Sequence, residues 1–430
     1  MLKSFKTMLT EQKNVHMEHI EDLIFDEGVV GTRRAINFMQ GMRDMLAGAS
    51  TTKVNATVKW DGAPAIFAGT DPRNGKKFVA KKGIFNKDPK VYYTPADVKK
   101  DTAGDLQAKL LICLKYLPKI LPDKGIFQGD LMWAGRNDLK LKNIDGQSMV
   151  TFQPNTIVYA VPAISPLSND IRRAHMGIVW HTEYAGNTFD TLRASFGKNI
   201  AKKMKQSGPL GGDVWFDDAT YKDVSGQGAM TAKETAAITK QLSAVGTQFR
   251  NVDAGVVNSI QANKDLLINI KTFNNTKIRA GQRITNPSQH VTQMFHYISD
   301  KYQKEIDAKK TPAGKKTWEA KKKEILSFFK NDKAKIVQIF KLMNLLVDAK
   351  QTLINKMNQI GSMKTFVRTA NGYKVTGVEG FVAIDKMSGK AVKLVDRLEF
   401  SRLNFSPEIL KGWNKSVSYT HLTLPTILLV

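Results

Sequence analysis

The chain has 430 residues, 42% of them apolar, which is enough to bury a sizeable core and to form about two domains. Lys and Arg number 65 against 39 Asp and Glu, so the formal net charge is +26 at pH 7. This balance excludes a disordered acidic chain. It favours a polyanionic partner, and nucleic acid is the leading candidate, because lysines that neutralise phosphates release bound counterions. A basic surface without a ligand is the alternative.

Three other classes are excluded or disfavoured. The single Cys113 rules out a disulfide framework or a cysteine zinc site, and its apolar neighbours predict a buried thiol. The N-terminus lacks the apolar core of a secretory signal, and no apolar run is long enough to span a bilayer, so we expect a cytoplasmic protein without a membrane segment. Residues 416–430 resemble translated sequencing-adaptor sequence and are expected to be a non-native tail.

The first part of the chain is predicted to be helical and then β-rich. An amphipathic helix is predicted over 31–48, and alternating side chains predict a strand over 54–60 with Lys59 on its polar face and a turn at Asp61-Gly62. A further helix is predicted over 105–117. Short apolar runs between polar turns predict the remaining strands, which are 65–68, 77–80, 125–128, 156–161 and 177–181.

The second part is predicted to be helical before β structure returns. Thr231-Ala-Lys-Glu234 is typical of a capping box, so a helix should begin there, and helical spacing continues to about Met357. Its apolar stripe is expected to be core, and comprises Ile325, Phe328, Phe329, Ile336, Ile339, Phe340, Met343, Leu346 and Val347. The lysines on the opposite faces are either a solvated surface or a nucleic-acid track. Runs 377–384 and 390–395 around a Gly-containing turn predict a hairpin.

These patterns predict an α+β domain that is interrupted by a long helical insertion. The predicted units are an N-terminal helical segment 1–50, the first part of the domain 51–227, the basic insertion 228–365, the last part of the domain 366–415, and the tail 416–430.

A series of short motifs carries residue types suited to phosphate chemistry. The first is Lys59-Trp60-Asp61-Gly62, which by itself is common by chance, so the motifs that follow decide its meaning. These are Phe78-Val-Ala-Lys81-Lys82-Gly83, Ile126-Phe127-Gln128-Gly129-Asp130-Leu131, Gly177-Ile-Val-Trp180-His181, Val378-Glu379-Gly380-Phe381-Val382 and Ala391-Val-Lys393-Leu-Val395. Their order resembles motifs I to V of the covalent nucleotidyltransferase superfamily, which contains ATP-dependent DNA ligases, RNA ligases and GTP-dependent capping enzymes.

The resemblance implies a fold and a reaction. The fold is a ligase-type adenylation domain of antiparallel sheets and helices, here split by the insertion. Lys59 would attack the α-phosphate of ATP and carry AMP as a phosphoramidate, for which the amine must first lose its proton. Asp61 and Gly62 would complete the nucleotide-binding turn, and Lys81 and Lys82 would contact the nucleotide or the bound strand.

The later motifs imply the remaining site residues. Asp130 would hold the ribose or a metal-bound water, and Glu379 would bind a divalent cation, which makes both expected metal ligands. Trp180 is the candidate for stacking on the purine, with a core tryptophan as the favoured alternative and Tyr159 as an equal choice. Lys393 would contact the α-phosphate and stabilise the charge that develops during transfer.

Two features depart from the family pattern. Asp130 stands where Glu is more frequent. Motif V usually has two lysines two positions apart, whereas Lys390 and Lys393 are three apart and Val395 stands where a second lysine is expected. Lys390 is expected to reach the nucleotide from the hairpin turn. A weakened or inactive enzyme is therefore an open alternative.

The expected function is an ATP-dependent polynucleotide ligase that joins 5′-phosphate and 3′-hydroxyl ends or nicks in nucleic-acid repair, with ATP and Mg²⁺ or Mn²⁺ as cofactors. RNA is the preferred substrate over DNA, because the Lys-Lys-Gly element resembles RNA ligases. The alternatives are a ligase-like nucleic-acid-binding protein and a GTP-dependent capping-type enzyme. The N-terminal third resembles uncharacterised proteins of tailed phages, which implies action in the host cytoplasm.

One histidine pair is a weaker candidate site. His16 and His19 would lie on one predicted helical turn, where two imidazoles can bind a metal. Because no third ligand stands nearby in the sequence, a surface or capping role is favoured.

Overall fold

The computed structural model describes residues 17–49, 54–196, 199–205, 212–219, 229–359, 364–369, 372–385, 390–406 and 408–410. Helices make up 52% and strands 23% of the structure, and the strands form several sheets. The chain is therefore a mixed α/β protein, compatible with the α+β prediction.

The first half of the chain supplies five helices and most of the described strands. The helices are α1 (Leu23–Asp26), α2 (Gly28–Leu46), α3 (Pro95–Asp101), α4 (Gly104–Ile120) and α5 (Pro166–Arg173). The strands are β1 (Val54–Lys59), β2 (Ala65–Thr70), β3 (Lys77–Ala80), β4 (Val91–Tyr92), β5 (Ile126–Ala134), β6 (Lys140–Ile144), β7 (Gln147–Phe152), β8 (Ile157–Pro162), β9 (Met176–Ala185), β10 (Arg193–Phe196) and β11 (Val214–Asp218).

The second half begins with six consecutive helices and ends with strands and a last helix. The helices are α6 (Ala232–Arg250), α7 (Ala254–Ala262), α8 (Lys264–Arg279), α9 (Pro287–Asp307), α10 (Pro312–Asn331), α11 (Lys333–Asn358) and, after the strands, α12 (Arg397–Phe405). The strands are β12 (Lys364–Thr369), β13 (Gly372–Val375), β14 (Gly380–Asp385) and β15 (Ala391–Leu394).

Three sheets are formed from these strands. The Lys59 sheet has the order β1-β14-β15, the central sheet has β10-β9-β5-β2-β3-β4 with β11 beside β9, and the outer sheet has β13-β12-β8-β7-β6. The described pairings are antiparallel except for β11 with β9, which is parallel. Strands from both ends of the chain meet in the Lys59 sheet, so the sequence before and after the insertion forms one structure.

The insertion helices cover one face of the Lys59 sheet. Apolar residues of all three strands, such as Ala56, Phe381 and Val392, share a single hydrophobic core with α2 and with the helices α6 to α11. Ile339 and Leu346 of α11 are completely buried in this core. The insertion is therefore part of the main core, and the opposite face of the Lys59 sheet remains available to the central sheet.

Local sequence signals predicted these elements well. The helix predicted over 31–48, the five later strands and the helix predicted over 105–117 all coincide with observed elements. Thr231 caps α6 and forms the predicted capping box with Glu234. The predicted apolar stripe is core, but it belongs to two helices, because α10 ends and α11 begins on either side of Asp332. Cys113 is buried, and burial raises the pKa of its thiol to about 12.

Candidate active site

A cleft separates the polar face of the Lys59 sheet from the central sheet. Its cavity has a volume of about 190 Å³. Thr57, Lys59, Val382 and Ile384 line it from the Lys59 sheet. The other lining residues are Met17, Val58, Trp60, Gln128, Asp130, His181, Phe196 and Ala219. The cleft therefore contains residues from four of the predicted motifs, contributed by both sheets.

Lys59 is the last residue of β1 and pairs in register with Gly380 of β14. This register brings Glu379 beside it, although the two residues are 320 positions apart, and the Lys59 ammonium donates a hydrogen bond to Glu379 Oε2. Burial alone would lower the pKa of Lys59, but the charge and hydrogen bond of Glu379, with the charges of Asp130 and Asp61, raise it above its usual value. Lys59 is therefore protonated at neutral pH in this state.

Lys393 lies on the same face of the sheet. The cross-strand register places Thr57, Val382 and Lys393 in one row, and Thr57 and Lys59 share a face because side chains alternate along β1. Burial, followed by the charge of Lys59, lowers the pKa of Lys393. The two predicted lysines thus lie on one face of the sheet, within electrostatic reach of each other.

Asp61 ties the Lys59 turn to the outer sheet. Its carboxylate accepts hydrogen bonds from Asn155 Nδ2 at 2.7 Å and from the backbone N–H groups of Thr156 and Ile157 at 2.7 and 2.8 Å. Its own backbone N–H donates to the hydroxyl of Tyr159 at 2.8 Å. Burial and the charge of Glu379 raise the pKa of Asp61 to about 6, against the effect of these hydrogen bonds. Asp61 therefore positions the turn rather than facing the cleft.

Close contacts near Lys59 require glycine at positions 62 and 380. A Cβ atom at Gly62 would lie 2.4 Å from the Cβ of Asp130, so only glycine lets the turn pack against β5. Gly380 has φ +153°, and a Cβ there would lie 2.5 Å from the carbonyl oxygen of Leu394. The glycines in motifs I and IV thus hold Lys59 and Glu379 close to their neighbouring strands.

Asp130 faces the cleft from β5, beside His181 of β9. The His181 Nε2 atom lies 3.8 Å from Asp130 Oδ1, and His181 Nδ1 is 2.7 Å from the Thr182 hydroxyl. The charge of Asp130 also contributes to the raised pKa of Lys59. Asp130 therefore lines the same cleft as Lys59 and contributes to its electrostatic environment.

Trp180 is a core tryptophan, the interpretation that the sequence favoured over stacking on the purine. Trp180 is completely buried, and it packs with α4 behind the central sheet, on the face away from the cleft. Tyr159 is also buried, against Trp60 and Phe152. Because side chains alternate, the residue that faces the cleft is the next one in the chain, His181. His181 belongs to the predicted motif 177–181, but the sequence did not indicate which face of β9 meets the cleft.

Two half-buried aromatic side chains, Trp60 and Phe196, do line the cleft. Phe196 is the last residue of β10 and pairs with Thr182 of β9. No local pattern distinguished it in the sequence. These rings are the available candidates for contact with a base.

The remaining predicted cations lie elsewhere. Lys81 is paired with Asp101 of α3 at 3.3 Å, and Lys82 is exposed at the start of a short turn after β3. Lys390 is exposed, and its carbonyl accepts from the backbone of Asp385, which continues the β14–β15 ladder. Side chains alternate between the two faces of a strand, and Lys390 and Lys393 are an odd number of residues apart, so they lie on opposite faces. The expectation that Lys390 reaches into the site from the turn is therefore wrong.

His19, half of the weaker candidate pair, lies beside Lys393. It forms a parallel bridge with Lys393, whose backbone N–H donates to the Glu18 carbonyl at 2.9 Å. This extended segment replaces the predicted helical turn, and His16 lies outside the described residues. The His19 Nδ1 atom is buried without a hydrogen-bond partner. Burial, then the charges of Arg397 and Lys350, lower the pKa of His19, so its imidazole is neutral.

The carboxylates near Lys59 could hold a divalent cation such as Mg²⁺ only together with oxygen atoms from a bound ligand. Glu379 accepts the hydrogen bond of the Lys59 ammonium, and Asp130 lines the cleft beside Lys59. Among the described residues there is no cluster of three or more His, Cys, Asp or Glu side chains that could hold a metal ion. Two carboxylates completed by phosphate oxygens and waters are a usual arrangement for Mg²⁺. The residues present therefore fit a metal that arrives with a nucleotide.

A second cavity of about 410 Å³ lies between α8, α11 and α12. Its polar wall contains the buried ion pair of Lys350 with Glu21 and the pair of Arg397 with Asp22. Each of these cations is already matched by a carboxylate, and the predicted motif residues are absent from its wall. The chemistry expected from the motifs therefore belongs to the smaller cleft.

Comparison with known proteins gives a family but no relative of known activity. No curated protein and no solved structure matches the chain. No helix in the described ranges is both long and apolar enough to cross a membrane. A family model described as "Family of unknown function (DUF6267)" matches residues 14–409. The match covers most of the sequence and the whole cleft, and the chain belongs to this family of unknown function.

Proposed function

We propose that the chain is a covalent nucleotidyltransferase of the polynucleotide-ligase type, with the ligase-type adenylation fold and with Lys59 as the residue that accepts AMP from ATP. One observation carries the proposal: Lys59 and Asp130 line one cleft, Glu379 accepts a hydrogen bond from Lys59, and Lys393 lies on the same face of the Lys59 sheet. The pKa of Lys59 is raised and that of Lys393 is lowered, and titratable residues far apart in sequence that meet with such shifts are candidates for catalysis.

Each residue has a defined part in the first step. The neutral amine of Lys59 attacks the α-phosphorus of ATP, the nitrogen–phosphorus bond forms, and the bond to the pyrophosphate leaving group breaks. Glu379, which already accepts a hydrogen bond from Lys59, is placed to receive the amine proton. Lys393 supplies positive charge for the phosphate oxygens. Mg²⁺ held by Glu379 and Asp130 would neutralise phosphate charge.

The state described is a resting state. The Lys59 amine is protonated and paired with Glu379, and an ammonium is no nucleophile. The cavity of 190 Å³ is also below the range of about 300–1,000 Å³ that is usual for ligand sites. Nucleotide entry must therefore widen the cleft and separate the Lys59–Glu379 pair.

Transfer of AMP from Lys59 to a 5′-phosphate, followed by attack of a 3′-hydroxyl, would seal a nucleic acid strand in the cytoplasm. RNA is proposed ahead of DNA on the motif resemblance. The net charge of +26 supports a nucleic acid of either kind.

The test is incubation of the purified chain with Mg²⁺ and ATP labelled at the α-phosphate, followed by denaturing gel electrophoresis. We expect an acid-labile, covalently labelled protein that Lys59→Ala abolishes and Lys99→Ala, an exposed control on α3, leaves unchanged. Labelling from GTP instead would indicate a capping-type enzyme. Labelling of Lys59→Ala would refute the site, and no labelling from either nucleotide would refute the reaction. Nicked duplexes that differ only in RNA or DNA at the 3′ side then test the substrate.

One observation favours a second function, a ligase-like protein that binds nucleic acid without efficient transfer. Lys390 lies on the face opposite Lys393, so the cleft lacks the second motif V lysine. A chain that binds nicked nucleic acid but forms no adduct would have this function.

A further inference from the structure

The helix α10 has one exposed face with a row of lysines. Lys316, Lys323 and Lys330 follow one another at intervals of seven residues and are all exposed. Seven residues make almost two helical turns, so the three side chains lie nearly in line and about 10 Å apart along the axis. We call these three residues the α10 lysine row.

The opposite side of α10 is fixed in the protein core. Ile325 and Phe329 are 3% and 1% exposed and pack with the other insertion helices. Trp318 packs against Tyr302 of α9, with ring centroids 5.7 Å apart. The orientation of the helix is therefore set by apolar burial, which leaves the lysine row on the outside.

The row is unpaired among the described residues, unlike two lysines of α11. Lys350 and Lys356 have carboxylate partners at 2.8 Å. Within the described part of the chain, no carboxylate lies within ion-pair distance of any lysine of the row. Glu319 is the one acidic residue that helical spacing places on this side of α10, and it is exposed. Like charges held in a line without partners raise the local positive potential and attract a polyanion.

We infer that the α10 lysine row is a docking surface for the phosphate backbone of a nucleic acid strand. A strand presents regularly spaced negative charges, and lysines suit them as point charges without base specificity. The inference rests on the proposed function in taking nucleic acid as the polyanion, but it needs no chemistry at Lys59. The insertion would thus hold the strand, while the cleft provides the transfer site.

The test measures binding of fluorescein-labelled single-stranded and nicked oligonucleotides by anisotropy over a KCl series. In the full chain, the variant with Lys316→Gln, Lys323→Gln and Lys330→Gln should bind at least about tenfold more weakly at low salt. The slope of log affinity against log salt should fall by about 2 to 3, because each lost phosphate contact removes about 0.7 to 0.9. A matched variant changes three exposed lysines elsewhere, with Lys99→Gln, Lys140→Gln and Lys142→Gln, and should bind within about threefold of the parent.

Two further measurements separate the outcomes. Replacing the row with arginine keeps the charge and should restore the affinity and the slope, which rules out damage to the helix. The glutamine variant should still form the lysyl adduct from ATP, since that step needs no strand. Equal losses in the row and control variants, or no loss in the row variant, would overturn the inference even if the adduct forms. Absence of the adduct from the parent chain, with strand binding that still depends on the row, would refute only the proposed function.

Discussion

Lys350 of α11 makes the most deeply buried ion pair described in the chain, and its removal should be strongly destabilising. Its ammonium lies 2.8 Å from Glu21 Oε1, with side chains only 2% and 5% exposed. Arg397 approaches the same carboxylate oxygen at 3.7 Å. Burial would raise the pKa of Glu21, but the charges of Lys350 and Arg397 lower it, so Glu21 is ionised in the core.

The substitution Lys350→Met keeps an unbranched apolar stem without the charge, and it leaves the buried Glu21 carboxylate with Arg397 at 3.7 Å as its remaining cation. Breaking a buried pair from one side costs about 3–5 kcal/mol, because the remaining charge is desolvated without compensation. The double variant Glu21→Gln with Lys350→Met removes both charges and should recover part of that loss. The midpoint of urea unfolding, followed by circular dichroism, measures both effects.

The same helix offers a matched control. Lys356 and Glu234 are also 2.8 Å apart, but their side chains are 17% and 40% exposed. Lys356→Met should therefore change the midpoint only slightly, since water screens the pair. If Lys350→Met and Lys356→Met shift the midpoint equally, or if the double variant is no more stable than Lys350→Met, burial does not govern this network and the reasoning is refuted.

Two further substitutions test other parts of the fold. Burial, with the charge of Lys277, lowers the pKa of His290 to about 4, so the unfolded chain takes up a proton that the folded chain does not. Stability should fall by up to about 3 kcal/mol between pH 6.5 and pH 4. Urea unfolding of His290→Gln should lack this part of the pH dependence, and an unchanged pH profile would contradict it. Gly62→Ala should lower the free energy of unfolding by about 1–3 kcal/mol, through the contact with Asp130. Gly246→Ala, in open space on α6, should raise it; equal effects of the two would argue against the contact.

Much of the site was visible in the sequence because its signals are local. Alternation along 54–60 placed Lys59 on the polar face of a strand end, and the structure has that arrangement. The capping box at Thr231 and the helical spacing after it gave the start and the nature of the insertion. Such signals depend on residues within one or two turns, so a single sequence contains them in full.

The sequence could not determine which sheet face a side chain occupies where that depends on strand pairing. The choice between Trp180 and His181 depends on which face of β9 meets α4, and β5 and β9 pair with two register shifts that no local pattern reveals. Lys390 was assigned by its distance along the chain from Lys393, whereas the β14–β15 ladder puts the two on opposite faces.

The sequence by itself therefore determined the element types, the basic charge and the order of the candidate motifs. Only the tertiary structure decided that Glu379 meets Lys59 across 320 residues, that His19 bridges to Lys393, and that the insertion helices form the core behind the Lys59 sheet. The physical reason is that periodicity and capping act between near neighbours, whereas a site between sheets is set by the register of distant strands and by which faces are buried.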